Sequence, residues 1–198
     1  MSLDIRTIVV LLIVASASMT LLMVVGGHHS RGEGFWKWVI GIGLTSLGWM
    51  LIATRGVLPP IWSVVLADTL LFTGPCFHVA ALREFGGGRV GRAAILAPSA
   101  VLFIAVWAVS GDYAWISAVT GVAYVGVMWT AASVALRLGR RGGPMHLVIA
   151  GLYAAGSVPV LARAVSIYLY APPDIFTPSP IYTAAFTILF VVTVGGSF

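Results

Sequence analysis

The sequence predicts an all-α polytopic membrane protein, a single seven-helix transmembrane bundle filling 1–198. Three observations predict it. Apolar runs close to 20 residues long recur along the chain, and a helix rising ~1.5 Å per residue needs about that many to cross a ~30 Å hydrocarbon core. Hydrophobic residues make up 60% of the chain and charged residues only 9%, which excludes a soluble domain with a solvated surface. The cations fall almost wholly in alternate connections between the runs, the signature of a topology set by the positive-inside rule.

The first span is 3–21. Its start has the look of a signal peptide, but Asp4 offsets Arg6 and no persuasive cleavage site precedes Gly26-Gly27, so it reads as a retained helix. The second span, 36–54, places Gly41, Thr45 and Gly48 on one face, where small residues let a neighbouring backbone come close. The third, 61–82, carries Asp68, Pro75, Cys76 and His78. Cys76 is the single cysteine, so an internal disulfide and any paired-cysteine metal knuckle are excluded, and it reads as a small buried filler. The fourth and fifth, 93–110 and 113–136, are joined only by Ser110-Gly111-Asp112, which forces them to run antiparallel side by side. The sixth, 145–170, holds Pro159 and Arg163, with Gly151 and Ala155 expected on a helix-packing face. The seventh, 181–198, reaches the last residue, and a cytoplasmic output domain is expected to follow Phe198.

Orientation follows from the loop charges. One set of connections holds Arg31, Lys37, Arg83, Arg89, Arg92, Arg137, Arg140 and Arg141; the other holds Arg6 and Arg55. Eight cations against two put the N-terminus outside and the C-terminus in the cytoplasm. The basic character therefore reflects topology and contact with membrane lipids, not nucleic acid.

Asp68 and Arg163 are the ionisable acid and base that lie well inside apolar runs. Asp68 stands seven residues past the start of its span and Arg163 seven before the end of its own, so both sit ~10 Å below the same face. Charges at that depth cost several kcal/mol unless they pair or line a wet cleft, and the two are expected to pair. Pro75 lies seven residues beyond Asp68 and Pro159 one turn before Arg163, which makes both candidate hinges. Trp49, Trp107, Ser117, Ser166, Tyr182 and Thr183 are the lining groups expected at that depth. Trp107, Trp115, Tyr113, Tyr168, Tyr170 and Tyr182 also fit an interfacial aromatic belt.

Other chemistry is thin. His28, His29, His78 and His146 all lie toward the predicted cytoplasmic face and read as interfacial or capping groups. A haem or metal site on His78 and His146 is the weak alternative, and no cofactor is expected. Lys37, the sole lysine, lies at a span edge, so no buried amine serves a retinal Schiff base. Gly86-Gly87-Gly88 lacks the strand–loop–helix context and the lysine of a phosphate-binding loop and reads as a turn. No nucleophile–base set is present, so the chain is not expected to be an enzyme by itself.

Leu3-Asp4-Ile5-Arg6-Thr7, the stretch Arg55-Gly56-Val57-Leu58-Pro59-Pro60-Ile61-Trp62-Ser63-Val64-Val65-Leu66-Ala67-Asp68, and Arg83 resemble the N-terminal membrane region of bacterial GGDEF diguanylate cyclases. The resemblance implies a seven-span input domain in the bacterial inner membrane. It would work as a homodimer and feed a cytoplasmic cyclase that makes cyclic di-GMP. The expectation is a sensor that binds a small or lipid-soluble ligand near the outer face. A small-molecule transporter and a non-sensing anchor and dimerisation scaffold are the alternatives. The lack of matching half-repeats lowers the first of these.

Overall fold

The computed structural model describes residues 5–27, 32–142 and 144–170, together with the isolated positions 184 and 188. Among residues 5–170, six α-helices follow one another: α1 (Ile5–Gly26), α2 (Glu33–Ala53), α3 (Ala67–Phe85), α4 (Arg92–Ala108), α5 (Tyr113–Gly142) and α6 (Pro144–Tyr170). A π-helical segment, Ile61–Leu66, runs without a break into α3. No strand occurs among the described residues.

The helical membrane class holds. Among the described residues, five helices are long and apolar enough to cross a bilayer: Arg6–Gly26, Gly34–Ala53, Ile61–Phe85, Tyr113–Gly139 and Pro144–Val165. The sixth apolar helix, Arg92–Ala108, has 17 residues and so rises only about 25 Å. It stops short of the predicted boundary at residue 110 because Val109–Gly111 turn into the connection. The expected seventh span at 181–198 lies outside the described residues.

The distribution of side chains is that of a bundle in lipid. Val10, Leu11, Val14, Leu21, Leu22, Val122 and Trp129 face outward, while Ser16, Ser46, Thr69, Thr73, Ser99, Thr120 and Ser157 are buried. Several of these hydroxyls donate to the carbonyl one turn back, as Ser16 does to Leu12 (2.6 Å), Thr69 to Val65 (2.7 Å) and Thr120 to Ile116 (2.8 Å). These hydroxyls are thereby satisfied within their own helices where water is absent, whereas the buried Ser46 hydroxyl makes no such bond among the described residues.

α3 is the axis of the bundle, packed against α2, α4 and α5, with α1 on α2 and α6 on α5. The α2–α3 contact is the closest. As the spacing of Gly41, Thr45 and Gly48 predicts, this face meets α3: Gly41 lies under the His78 ring and the Gly74 carbonyl, Thr45 against Gly74, and Gly48 against Leu71. The expected small face of α6 is corrected. Gly151 and Ala155 point outward, and Ala150, Ser157 and Pro159 turn inward instead. Cys76 fills a gap among Val65, Phe72, Ala80, Ile95, Leu102 and Val106, as a small apolar residue should.

The connection between α2 and the π segment is a tight turn. The amides of Val57 and Leu58 both donate to the Thr54 carbonyl (3.0 and 3.1 Å), and Gly56 has φ +88°. A Cβ at Gly56 would meet nothing within 4 Å, so only the backbone conformation demands glycine there. Gly56→Val is therefore expected to lower stability by about 1–2 kcal/mol, with Gly56→Asn much milder, in thermal melts of the detergent-solubilised protein. Equal melting of the two variants would contradict this account.

Candidate functional site: a buried charge cluster at the Arg55 end of the bundle

The turn at Gly56 sends Arg55 back into the protein. Its Nε donates to the Ser63 carbonyl (3.0 Å), and its Nη2 lies 3.6 Å from Oδ2 of Asp68. Both side chains are enclosed, 6% and 2% exposed. The π-helical opening makes this possible. Pro59 and Pro60 supply no amide hydrogens, so the segment starts from Pro59, whose carbonyl accepts from Trp62 (3.0 Å) and Ser63 (3.2 Å). The wider π turn leaves the Ser63 carbonyl reachable by a guanidinium, and Asp68 follows in the first turn of α3. Segments of this kind often mark functional positions in helices.

At 3.6 Å the Arg55–Asp68 contact is Coulombic and exceeds hydrogen-bond length. Oδ2 of Asp68 accepts no hydrogen bond among the described residues, although its residue is almost wholly buried. Buried carboxylate oxygens are normally satisfied, so this one is an acceptor without its complement.

Two more helices complete the cluster. The Tyr124 hydroxyl on α5 donates to the Asp68 carbonyl (3.4 Å), and its ring meets Phe72 edge-on at 6.0 Å. Tyr124 lies within electrostatic range of both the Asp68 carboxylate and the Arg163 guanidinium. Arg163, on α6, donates from Nη2 to Ser117 Oγ (3.2 Å) and to the Tyr113 hydroxyl (3.5 Å), with its guanidinium 5.7 Å from the Tyr113 ring centre. Trp49 is buried beside this group, packed with Ile8, Val9, Leu12, Ile52, Ala67, Leu71 and Ile167. Residues from α1, α2, α3, α5 and α6 thus converge at one end of the bundle.

Of the predicted site residues, Asp68, Arg163, Trp49 and Ser117 come together here. The predicted ion pair is corrected: Asp68 faces Arg55, and Arg163 reaches Tyr113 and Ser117. From sequence Arg55 reads as a loop cation because it directly follows an apolar run, where side chains ordinarily reach water. The signal that pointed to it was the Gly56 turn followed by Pro59-Pro60, which folds the chain back on itself.

Trp107 is also corrected as a lining residue, being 59% exposed. α4 buries Ile95, Ser99, Leu102 and Val106, and the next residue after Val106 is rotated ~100° away, toward the exterior. That is a belt position. The side chain of Ser166 and the whole of Tyr182 and Thr183 lie outside the described residues. The hinge candidates Pro75 and Pro159 are both buried inside their helices, and each helix continues past its proline.

The opposite end of α3 carries a second ion pair. Lys37 of α2 pairs with Glu84 and also donates to the Val90 carbonyl (3.4 Å). Nearby, His78 stacks on Trp38 (centroids 4.5 Å, 28°) and meets Tyr153 edge-on. His78 is therefore an aromatic packing element between α2, α3 and α6, which corrects its reading as an interfacial or capping group. Among the described residues no three His, Cys, Asp or Glu side chains gather as a metal site, so His78 and His146 have no third ligand there.

Comparison with protein-family models, with curated proteins and with solved structures returns no match for this chain.

Proposed function

We propose that this helical bundle is a sensory input domain of the bacterial inner membrane. It binds a small or lipid-soluble ligand at the Arg55 end and controls a C-terminal cytoplasmic diguanylate cyclase. The observation that carries the reading is the buried Asp68 oxygen with no hydrogen-bond donor, set beside Arg55 and within one cluster with Arg163. Ionisable groups inside a membrane are costly and ordinarily serve a ligand, an ion path or a switch. The proposed orientation, with this end outside, gains from the structure's burial of Arg55. Removing that residue from the two outer cations leaves Arg6 alone against eight.

A ligand switches such a device only through its different affinity for two packings of the bundle. The cluster joins α3 to α5 and α6, so a donor that takes up the Asp68 oxygen loosens or tightens that junction. The competing reading is a membrane anchor and dimerisation scaffold. It is favoured by the locality of the Arg55–Asp68 contact, which ties a turn to the helix directly after it.

The test is expression of the intact reading frame in cells carrying a cyclic di-GMP reporter. Asp68→Asn, which keeps the shape and removes the charge, is expected to change the cyclic di-GMP level at least several-fold at equal protein abundance. Unchanged levels for Asp68→Asn and Arg163→Gln alike would leave the scaffold reading in its place.

A further inference from the structure

The end of the bundle opposite Asp68 gathers positive charge on its surface, independently of whatever binds beside Asp68. Arg83 stands in the last turn of α3, Arg89 in the connection that follows, and Arg92 opens α4. All three are exposed, and among the described residues none makes an ion pair or a side-chain hydrogen bond. The nearest acid, Glu84, is committed to Lys37. Glu33, the first residue of α2, is the other acid at this end, and the first turn of α4 contains none. Cations are therefore in excess here.

The helices bring two of these arginines to one mouth. Phe72, Cys76 and Ala80 of α3 pack with Ile95, Leu102 and Val106 of α4. Arg83 lies three residues beyond Ala80, and Arg92 three before Ile95. Each thus continues its helix's packed face to within ~60° and stands ~4.5 Å nearer the same end. The connection is tied down: the Gly88 amide donates to the Arg83 carbonyl (2.9 Å), and Lys37 donates to the Val90 carbonyl (3.4 Å). Guanidiniums gathered on a fixed backbone repel one another, and an anion shared among them offsets that repulsion. Their planar forks match the paired oxygens of a phosphate.

Depth and surroundings specify which phosphate. Arg83 falls in the last turn of a span-length helix, Ile61–Phe85. α4 rises only about 25 Å from Arg92, so both cations lie where hydrocarbon gives way to head groups. One turn into α4, Leu96 is exposed, and Ile104 and Trp107 continue the same outward face. A phosphate held by the arginines therefore has an open apolar surface running away from it along the helix. A soluble phosphate would use the cations and leave that surface bare, whereas a phospholipid uses both.

We infer that Arg83, Arg89 and Arg92 form a head-group site for an anionic phospholipid whose acyl chain lies against the outer face of α4.

Native mass spectrometry of the full chain in detergent measures the affinity of the first bound lipid, for phosphatidylglycerol and for phosphatidylcholine of the same acyl chains. Phosphatidylglycerol is expected to bind about ten-fold more tightly or better. Arg83→Gln and Arg92→Gln are each expected to weaken it about three- to ten-fold, and the double change to abolish the preference, with phosphatidylcholine unaffected. A thermal melt checks that each variant folds; should Arg83→Gln fail, Arg92→Gln carries the test alone. Arg92→Lys keeps the charge without the fork and is expected to stay about three-fold weaker than the parent. Equal affinity for the two lipids, or a preference that survives the double change, overturns the inference. Full recovery by Arg92→Lys does so too, because it would leave a diffuse field of charge in place of a phosphate site. Glycerol 3-phosphate supplies the last comparison. Failure to displace phosphatidylglycerol supports a lipid site, and ready displacement assigns the arginines to a free phosphate and overturns it.

Discussion

Asp68→Ala is expected to destabilise the bundle by about 3–5 kcal/mol, while Arg55→Ala combined with Asp68→Ala costs clearly less than the sum of the two single changes. Removing the carboxylate leaves the Arg55 guanidinium enclosed, 6% exposed, and takes away the negative charge 3.6 Å from it. The reverse single change leaves a buried carboxylate whose Oδ2 has no hydrogen-bond donor. Losing one member of the pair is worse than losing both, because the ion left behind keeps its desolvation cost and loses its opposite charge. A double-mutant cycle on thermal or denaturant unfolding in detergent reads this directly. The expected coupling is about 1–3 kcal/mol. Coupling near zero, with additive losses, would show that the 3.6 Å approach carries no energy. The same cycle run with Arg163 in place of Arg55 is expected to give a smaller value, since Arg163 spends hydrogen bonds on Ser117 and Tyr113.

That contrast marks where the sequence was readable. Hydropathy located the helices because in lipid a long apolar run has one outcome, a helix that satisfies its own backbone. The depth of Asp68 and Arg163 followed from residue counting along those helices, and depth alone brought them to one end. Counting could not find the true neighbour of Asp68. Arg55 sits after the end of α2, and whether such a side chain goes to water or folds back depends on a turn conformation at Gly56 and a π-helical start. Neither has a hydropathy signal. Trp107 illustrates the same limit from the other direction. Its depth matched the cluster, but the side it occupies is set by the rotation of α4, fixed by Ile95, Ser99, Leu102 and Val106. The glycine face of α2 was legible because small residues spaced seven apart have few other uses. Gly151 and Ala155 had the weaker form of that pattern, and they turn outward.

The second large effect concerns that glycine face. Gly74→Leu is expected to separate α2 from α3 and to cost at least 3 kcal/mol, at or beyond the upper end of ordinary overpacking. Even the first carbon of a side chain at Gly74 would stand 2.7 Å from the Gly41 carbonyl oxygen and would collide with the Thr45 side chain. Backbone cannot yield as a flexible side-chain tip can, so α2 as a whole must move. It is held against moving at both ends. Lys37 pairs with Glu84 at one, and at the other Trp49 is enclosed beside Ala67 and Leu71. Strain introduced midway therefore has nowhere to relax without breaking one of those contacts. Gly151→Leu is the matched control, because a side chain there meets nothing within 4 Å and faces the exterior. Unfolding of the two variants in the same detergent is expected to differ by at least 2 kcal/mol. If both behave alike, helix contact along this face is not what holds α2 to the axis of the bundle. Replacing Thr45 by Ala in the Gly74→Ala background tests the geometry further. It removes the side chain that the new methyl group strikes and is expected to recover part of the loss, whereas the clash with the Gly41 carbonyl remains and keeps the recovery incomplete.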